Sequence, residues 1–221
     1  MFFQSAKQYN QNAKIQHEIA SQLVLFAKHK IAQSSTILDV GCGTGFVGLH
    51  INKIYNNKTL HGLDRSIKMT DLSSSYYSKF FHSKIEDFSV PKYDLFLSSM
   101  CFQWVCDLEL QINKISQIGD LFFAMPLQNN LNEANQAFIK SGIESPLIKD
   151  QKLKIKPDII LEYKEQYSSI LKLLKSFNLI GAINKKAKKM SHNQIKKVDE
   201  LFNGVVTWKI GLFEVRKNTI L

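Results

Sequence analysis

The fold is decided by the stretch Thr36-Ile37-Leu38-Asp39-Val40-Gly41-Cys42-Gly43-Thr44-Gly45. An apolar, β-branched run ends in an acid, and glycines follow at alternate positions. This pattern predicts a buried strand that leaves the carboxyl edge of a sheet and turns sharply into a helix. Glycines at such a turn adopt positive φ and let a ligand approach the main chain. We therefore expect an open α/β sheet with a ligand site outside its strand ends.

The acids near this turn indicate which ligand binds. Gly43, Gly45 and Gly48 also fit the G-x-G-x-x-G string, but a pyrophosphate docks on bare N–H groups, and Asp39 would repel it. S-adenosylmethionine has no phosphate and carries a sulfonium and an ammonium, which a carboxylate attracts. Asp64 ends the next strand, where a carboxylate can accept hydrogen bonds from both ribose hydroxyls. Helix capping by Asp39 and a turn role for Asp64 are the alternatives, and the combination favours S-adenosylmethionine.

Composition places the chain among globular proteins. Of its 221 residues, 44% are hydrophobic and 22% are charged. We find no apolar run near the roughly 20 residues that span a bilayer. The first residues lack a basic start and an apolar signal core, so we expect a cytoplasmic protein without membrane contact. The cysteines have no metal-site spacing, and we expect no metal.

The net charge of +10 comes almost entirely from lysine, because Arg65 and Arg216 are the only arginines. Biased coding explains part of this excess, and a docking surface for an acidic partner is the functional alternative. The partner would be nucleic acid or an acidic carrier protein. Arginine-rich stretches and interleaved aromatic and basic residues are missing, which makes nucleic acid the less favoured partner.

Hydrophobic periodicity predicts alternating strands and helices, and hence a mostly parallel sheet with helices on both faces. The predicted strands are 36–40, 59–64, 80–82, 93–99, 121–125, 158–167 and 205–215. The predicted helices are 4–31, 46–55, 66–75, 107–117, 132–140, 168–177 and 191–202, the last opened by a capping box. We expect a single domain, with an N-terminal helical lid (1–33), a cofactor-binding core (34–140) and a C-terminal part with closing strands (141–221).

Two segments resemble a known superfamily. Ile-Leu-Asp-Val-Gly-Cys-Gly-Thr-Gly at 37–45, followed by Gly-Leu-Asp at 62–64, is similar to the first two motifs of class I S-adenosylmethionine-dependent methyltransferases. The resemblance implies a Rossmann-like fold with a seven-stranded sheet and S-adenosylmethionine as cofactor. It does not specify the methyl acceptor.

Three further segments resemble one family within that superfamily. They lie at 6–16, 98–108 and 173–182, and they are similar to segments of the malonyl-carrier-protein O-methyltransferases of biotin synthesis. This resemblance implies methyl transfer to the free carboxylate of malonyl carried by acyl carrier protein. Carrier proteins are acidic, so a lysine cluster is a candidate docking surface, although such a run is usually a solvated face: Lys185, Lys186, Lys188 and Lys189.

A carboxylate acceptor is already ionised near pH 7, so no catalytic base is expected, and the protein's contribution is orientation and exclusion of water. Among the expected cofactor-binding residues, Asp39 and Gly41 hold the methionine end, and Gly43 and Gly45 shape the turn. Asp64 binds ribose, Ile85 and Glu86 flank adenine, and Ser99 ends strand four. The expected substrate-binding residues are Tyr9, Gln16, Gln103 and Trp104. Core packing is the alternative for Trp104.

Two departures from the family pattern affect the expected contacts to cofactor and substrate. Lys84 stands where members have an acid that contacts the adenine amino group, and no arginine follows strand five to hold the malonyl carboxylate. Three other functions therefore stay open. They are an enzyme of the same fold that acts on a protein partner, as in respiratory complex I assembly factors, a nucleic-acid methyltransferase, and a non-catalytic binding module. We expect a monomer.

Overall fold

The computed structural model describes residues 6–147, 151–184 and 187–221. Seven strands form one sheet in the order β3-β2-β1-β4-β5-β7-β6. The pairs β1/β2, β1/β4, β2/β3 and β4/β5 are all parallel. The strands are β1 (Thr36–Val40), β2 (Thr59–Leu63), β3 (Lys79–Phe81), β4 (Leu95–Ser99), β5 (Asp120–Pro126), β6 (Ile159–Gln166) and β7 (Val205–Val215). The predicted fold class is confirmed. The strand order reverses between β1 and β4, which is where open α/β sheets bind ligands.

Helices follow β1, β2, β4 and β5, as predicted, and the described connection from β3 to β4 contains only a 3-10 turn. The helices are α1 (Ala6–Asn12), α2 (Lys14–Phe26), α3 (Lys28–Gln33), α4 (Phe46–Asn52), α5 (Ile67–Thr70), α6 (Leu108–Ser116), α7 (Asn132–Ser141), α8 (Ile170–Leu179) and α9 (His192–Asp199). Two 3-10 turns lie at Ile85–Asp87 and Phe102–Trp104. A capping box opens α9, as predicted: Ser191 Oγ accepts from Gln194 N, and the Gln194 side chain accepts from Ser191 N.

Two predicted helices are wrong in extent. The N-terminal helix is three helices, because the backbone leaves helical ψ at the fully buried Ala13 and Ala27, a break that apolar periodicity does not reveal. The helix predicted at 66–75 is the single turn α5. Ser73 Oγ donates to the carbonyls of Thr70 and Gly43, and such side-chain bonds compete with helix continuation.

The chain divides into two compact units. Among the described residues, the first consists of 6–125, 153–160 and 211–221. Its core is built on β1, β4 and β5, whose apolar side chains are almost all fully buried. The rings of Phe123 and Phe213 stack with centroids 4.6 Å apart. Asp94 accepts hydrogen bonds from the main-chain N–H groups of Ser35 and Thr36, which fixes the start of β1 beside β4.

Among the described residues, the second unit consists of 126–147, 151–152, 161–184 and 187–210. Its aromatic centre is Trp208, whose ring stacks on Phe177 at 5.0 Å and whose Nε1 donates to Glu165 at 2.8 Å. Glu133 accepts from Thr207 N at 3.0 Å and from Thr207 Oγ1 at 2.5 Å. These bonds satisfy polar groups around an apolar centre.

Some predictions are left open by this description. The single-domain layout and the lid role of the N-terminal helices stay predictions. Lys185 and Lys186 lie outside the described residues, whereas Lys188 and Lys189 are exposed. None of the described helices is both long and apolar enough to span a membrane.

Candidate functional site

The glycine turn between β1 and α4 is the centre of the site. Gly41, Gly43 and Gly45 have φ values of 73°, 50° and 88°. A Cβ on Gly41 would lie 2.1 Å from Cys101 Sγ, and a Cβ on Gly45 would lie 2.6 Å from Ser73 Cβ. On Gly43 it would meet no described atom nearer than 4.0 Å. Packing therefore requires glycine at Gly41 and Gly45, while the main chain at Gly43 is open to close approach.

The Asp64 carboxylate follows β2 and is fixed against this turn. Its Oδ2 accepts from Gly43 N at 2.9 Å, and its Oδ1 accepts from Ser66 N at 2.8 Å. Burial raises the pKa of Asp64, and these two main-chain hydrogen bonds oppose the shift. Asp64 thus shapes its own turn and also faces the glycine turn, and each oxygen keeps a lone pair for a further donor.

The Asp39 carboxylate lies beneath the turn and is 1% exposed. Its Oδ2 accepts from Tyr77 Oη at 2.5 Å. Its Oδ1 is buried and has no hydrogen-bond partner in the described part of the chain. The capping alternative is wrong, because Gly45 is the N-cap residue of α4 and no side chain caps that helix.

The charge on Asp39 is held in an unfavourable environment. Burial is the main cause that raises its pKa to about 7, and the negative charge of Asp64 adds to it, while the Tyr77 hydrogen bond lowers it. A buried, half-satisfied carboxylate is costly unless a donor or a cation approaches it. The site is therefore suited to a ligand with a positively charged group.

Tyr77 is a site residue that the sequence did not reveal. Its hydroxyl donates to Asp39 and accepts from Gly48 N at 3.2 Å. A Cβ on Gly48 would lie 2.8 Å from the Tyr77 ring, so this glycine makes room for a tyrosine and not for a pyrophosphate. A tyrosine in the serine-rich stretch before β3 carries no periodic signal, and only the packing identifies it.

The segments after β3 and β4 meet beside this turn. Ile85 is buried in the first 3-10 turn, and Glu86 Oε1 accepts from Cys106 N at 2.9 Å, which joins the two segments. Lys84 is exposed, and Ser99 is half-buried at the end of β4. Because β3 and β4 are parallel to their neighbours, both segments lie at the carboxyl edge of the sheet.

The N-terminal helices bring one more predicted residue to the site. The ring of Tyr9 stacks on Phe46 at 6.0 Å. Burial raises the pKa of Tyr9, and the negative charge of Asp64 adds to this. Phe46 is the first residue of α4, so the Tyr9 ring lies beside the end of the glycine turn. Gln16 is buried in α2, and no described hydrogen bond joins it to the glycine turn.

Gln103 and Trp104 follow β4 in the second 3-10 turn. Met100 has a φ of 54°, which ends the strand abruptly, and Gln103 Nε2 donates to Met100 O at 2.8 Å. Trp104 N donates to Cys101 O at 2.9 Å, and the side chain of Trp104 is half-buried. The pair thus begins two residues after Cys101, whose side chain packs on Gly41.

Comparison with protein families matches one domain. The model described as a methyltransferase domain matches residues 37–118, which run from β1 to the end of α6. This segment contains the glycine turn, both acids, Tyr77 and the Gln103-Trp104 pair. The match therefore coincides with the geometric site.

Curated relatives share one name. Malonyl-[acyl-carrier protein] O-methyltransferase 1 of Ilyobacter polytropus is 26% identical, and the alignment covers 91% of this chain and 84% of the relative. Malonyl-[acyl-carrier protein] O-methyltransferase of Calditerrivibrio nitroreducens is 34% identical, and that alignment covers 61% of this chain and 56% of the relative.

Among solved structures, the plantazolicin methyltransferase BpumL in complex with SAH matches 93% of this chain and 88% of its own, at 14% identity and a TM-score of 0.49. The domain match and the two relatives, taken with the glycine turn and its acids, support an S-adenosylmethionine-dependent methyltransferase. The chain contains a methyltransferase domain at residues 37–118, and it is similar to the malonyl-[acyl-carrier protein] O-methyltransferases.

Proposed function

We propose that the chain transfers a methyl group from S-adenosylmethionine to the free carboxylate of a malonyl group on acyl carrier protein, an early step of biotin synthesis. The observation that carries this proposal is the alignment with the Ilyobacter polytropus relative, which extends over 91% of the chain and thus well beyond the methyltransferase domain. The Gln103-Trp104 segment also supports it, because this segment follows β4 and is connected to Cys101, whose side chain packs on Gly41 of the glycine turn.

The residues around the turn fit the cofactor. Asp39 Oδ1 is a buried acceptor with no partner in the described chain, and it is matched to the cationic methionine end. Asp64, which Gly43 N and Ser66 N hold in place, accepts from the ribose hydroxyls. Ile85 and Glu86 flank the adenine, and Ser99 closes the β4 side. When bound, S-adenosylmethionine supplies an electrophilic methyl group on its sulfonium.

The acceptor side needs donors and a dry surface. The Tyr9 hydroxyl, which is protonated at neutral pH as in any tyrosine, donates a hydrogen bond to the acceptor carboxylate. Gln103 supplies an amide that is already oriented by Met100 O, and Trp104 forms an apolar wall. Gln16, which is buried in α2, stays the fourth predicted substrate-binding residue. Opposite charges cancel as the carboxylate approaches a sulfonium, so exclusion of water favours the reaction.

The carrier protein requires a cationic surface. We propose that exposed lysines of the second unit, Lys188 and Lys189 among them, attract the acidic carrier. Such an interaction accelerates the encounter and weakens with ionic strength.

The first experiment follows labelled methyl from S-adenosylmethionine to malonyl-loaded acyl carrier protein, with the unloaded carrier as control. We expect label on the malonyl form alone, and release of that label by mild base, as for a carboxyl methyl ester. Label on neither form, from a protein that binds the cofactor in calorimetry, contradicts the acceptor assignment and leaves the enzyme class intact.

The second experiment tests the cofactor site through Asp64→Ala. We expect the variant to fold, because Asp64 is half-buried at a turn, but to lose detectable binding of S-adenosylmethionine in calorimetry. Asp71→Ala is the control, since Asp71 is an exposed acid seven positions further along the same segment. Tight binding by the Asp64 variant would show that the assignment of the ribose-binding acid is wrong.

A further inference from the structure

We infer that Tyr77 is a positioning residue for cofactor binding, whose hydroxyl engages Oδ2 of Asp39 and so reserves Oδ1 for the cationic end of the cofactor. This inference deepens the proposed function and rests on it, because it takes Asp39 as the residue that holds the methionine end. Tyr77 itself does not need to touch the cofactor.

The direction of the hydrogen bonds supports this role. Gly48 is in the first turn of α4, where main-chain N–H groups have no partner within the helix. Its N–H donates to Tyr77 Oη at 3.2 Å, so the tyrosine oxygen is already an acceptor there. The hydroxyl proton is then directed to Asp39 Oδ2, 2.5 Å away. Asp39 is thereby linked to the helix that follows the glycine turn.

Packing holds the tyrosine in this position. Tyr77 is 6% exposed, and its ring meets Phe80 edge-on at a centroid distance of 5.2 Å. A Cβ on Gly48 would lie 2.8 Å from the ring and 2.9 Å from the hydroxyl oxygen. Even one methyl group at Gly48 would therefore displace the hydroxyl from Asp39, which offers a second, independent way to break the same bond.

The groups that face Asp39 show why its ionised form depends on Tyr77. They come from four segments: Tyr77 before β3, Asp64 after β2, Cys42 in the glycine turn and Cys101 after β4. Burial raises the pKa of Tyr77, of Cys42 and of Cys101, so these three groups are neutral near pH 7, and Asp64 is an acid. In this set the Tyr77 hydroxyl is the group that favours the ionised form of Asp39, because its hydrogen bond opposes the rise of the Asp39 pKa.

The test is the pH profile of cofactor affinity in Tyr77→Phe. For the wild-type chain we expect the affinity for S-adenosylmethionine, measured by calorimetry from pH 6 to 9, to rise as Asp39 ionises. Tyr77→Phe should move the midpoint of that rise upward by about one pH unit and weaken binding at pH 7 about fivefold. Affinity should partly recover at pH 9, whereas a structural defect would weaken binding equally at every pH.

Tyr93→Phe is the matched control. It removes a tyrosine hydroxyl from a hydrogen bond of similar length, since Tyr93 Oη lies 2.6 Å from His61 Nδ1, away from Asp39. We expect the control to keep the wild-type midpoint. An unchanged midpoint in Tyr77→Phe, or an equal shift in Tyr93→Phe, would overturn the inference.

Gly48→Ala provides a second route if Tyr77→Phe does not fold. It should shift the midpoint in the same direction, and a wild-type midpoint in this variant would overturn the inference as well.

Failure of the proposed function and failure of the inference on Tyr77 give different results. A wild-type chain that binds no S-adenosylmethionine removes the proposed function together with the inference. A wild-type chain with a normal pH profile and a Tyr77→Phe variant that matches it removes the inference alone.

Discussion

Asp39→Asn should stabilise the cofactor-free protein at alkaline pH while it weakens cofactor binding. The substitution keeps the size of the side chain and an oxygen that can accept from Tyr77. It removes the buried negative charge of Asp39, whose Oδ1 has no hydrogen-bond partner in the described chain. A residue selected for binding a cation would then cost stability in the absence of that cation.

The magnitude follows from the pKa of Asp39, which burial raises from 3.8 to about 7. A group whose pKa is raised in the folded state stabilises the protein in its protonated form. This stabilisation is complete at pH values below the pKa of the unfolded state, and it is lost as the pH rises through the pKa of the folded state. Each pH unit in that window is worth about 1.4 kcal/mol, so the wild-type chain should lose about 3 kcal/mol of unfolding free energy between pH 5 and pH 8 through Asp39. The asparagine variant has no such loss.

The assay is urea unfolding of both chains at pH 5, 6, 7 and 8, without cofactor. The difference in unfolding free energy, variant minus wild type, should rise by about 3 kcal/mol from pH 5 to pH 8. Asp94→Asn is the control and should give a difference that is flat over this range. The pKa of Asp94 is lowered by its hydrogen bonds to Thr36 and Ser35, so this group titrates below pH 4. A flat profile for Asp39→Asn would refute the reasoning.

Two further substitutions test the turn and the second unit. Gly41→Ala should abolish folding or lower the melting temperature severely in a thermal-shift assay, because its Cβ would lie 2.1 Å from Cys101 Sγ. Gly43→Ala should fold, with a loss of about 1 kcal/mol of unfolding free energy for an alanine in the left-handed conformation. It should lose cofactor affinity in calorimetry. Equal melting temperatures for the Gly41 and Gly43 variants would contradict this distinction. Glu133→Gln should destabilise the chain by about 1 kcal/mol at pH 7, since it weakens two hydrogen bonds to Thr207. That difference should shrink as the pH falls below 4.5, because the pKa of Glu133 is lowered in the folded state and the wild type then loses its advantage; a difference that persists at low pH would argue against a charge-assisted bond.

Much of the fold was predictable because its signals are local. The strands at 36–40 and 205–215 are found at the predicted bounds, since β-branched runs and strict alternation are visible in a few consecutive residues. The capping box at Ser191 is equally local. The N-terminal segment was mispredicted as one helix because apolar periodicity continues through Ala13 and Ala27, and the turns there depend on how tightly those alanines pack.

The sequence by itself determined the glycine turn, the acid near the end of β1 and the acid that follows β2, because strand, acid and turn are consecutive in the chain. Only the tertiary structure decided what these groups do to one another. It placed Tyr77, 38 residues from Asp39, within hydrogen-bond distance of that acid. It also packed the Tyr77 ring against Gly48. It also buried Asp39 Oδ1 without a partner in the described chain. The physical reason is that burial, and with it the cost of a charge, is a property of all the segments that surround a side chain, and no stretch of sequence contains them together.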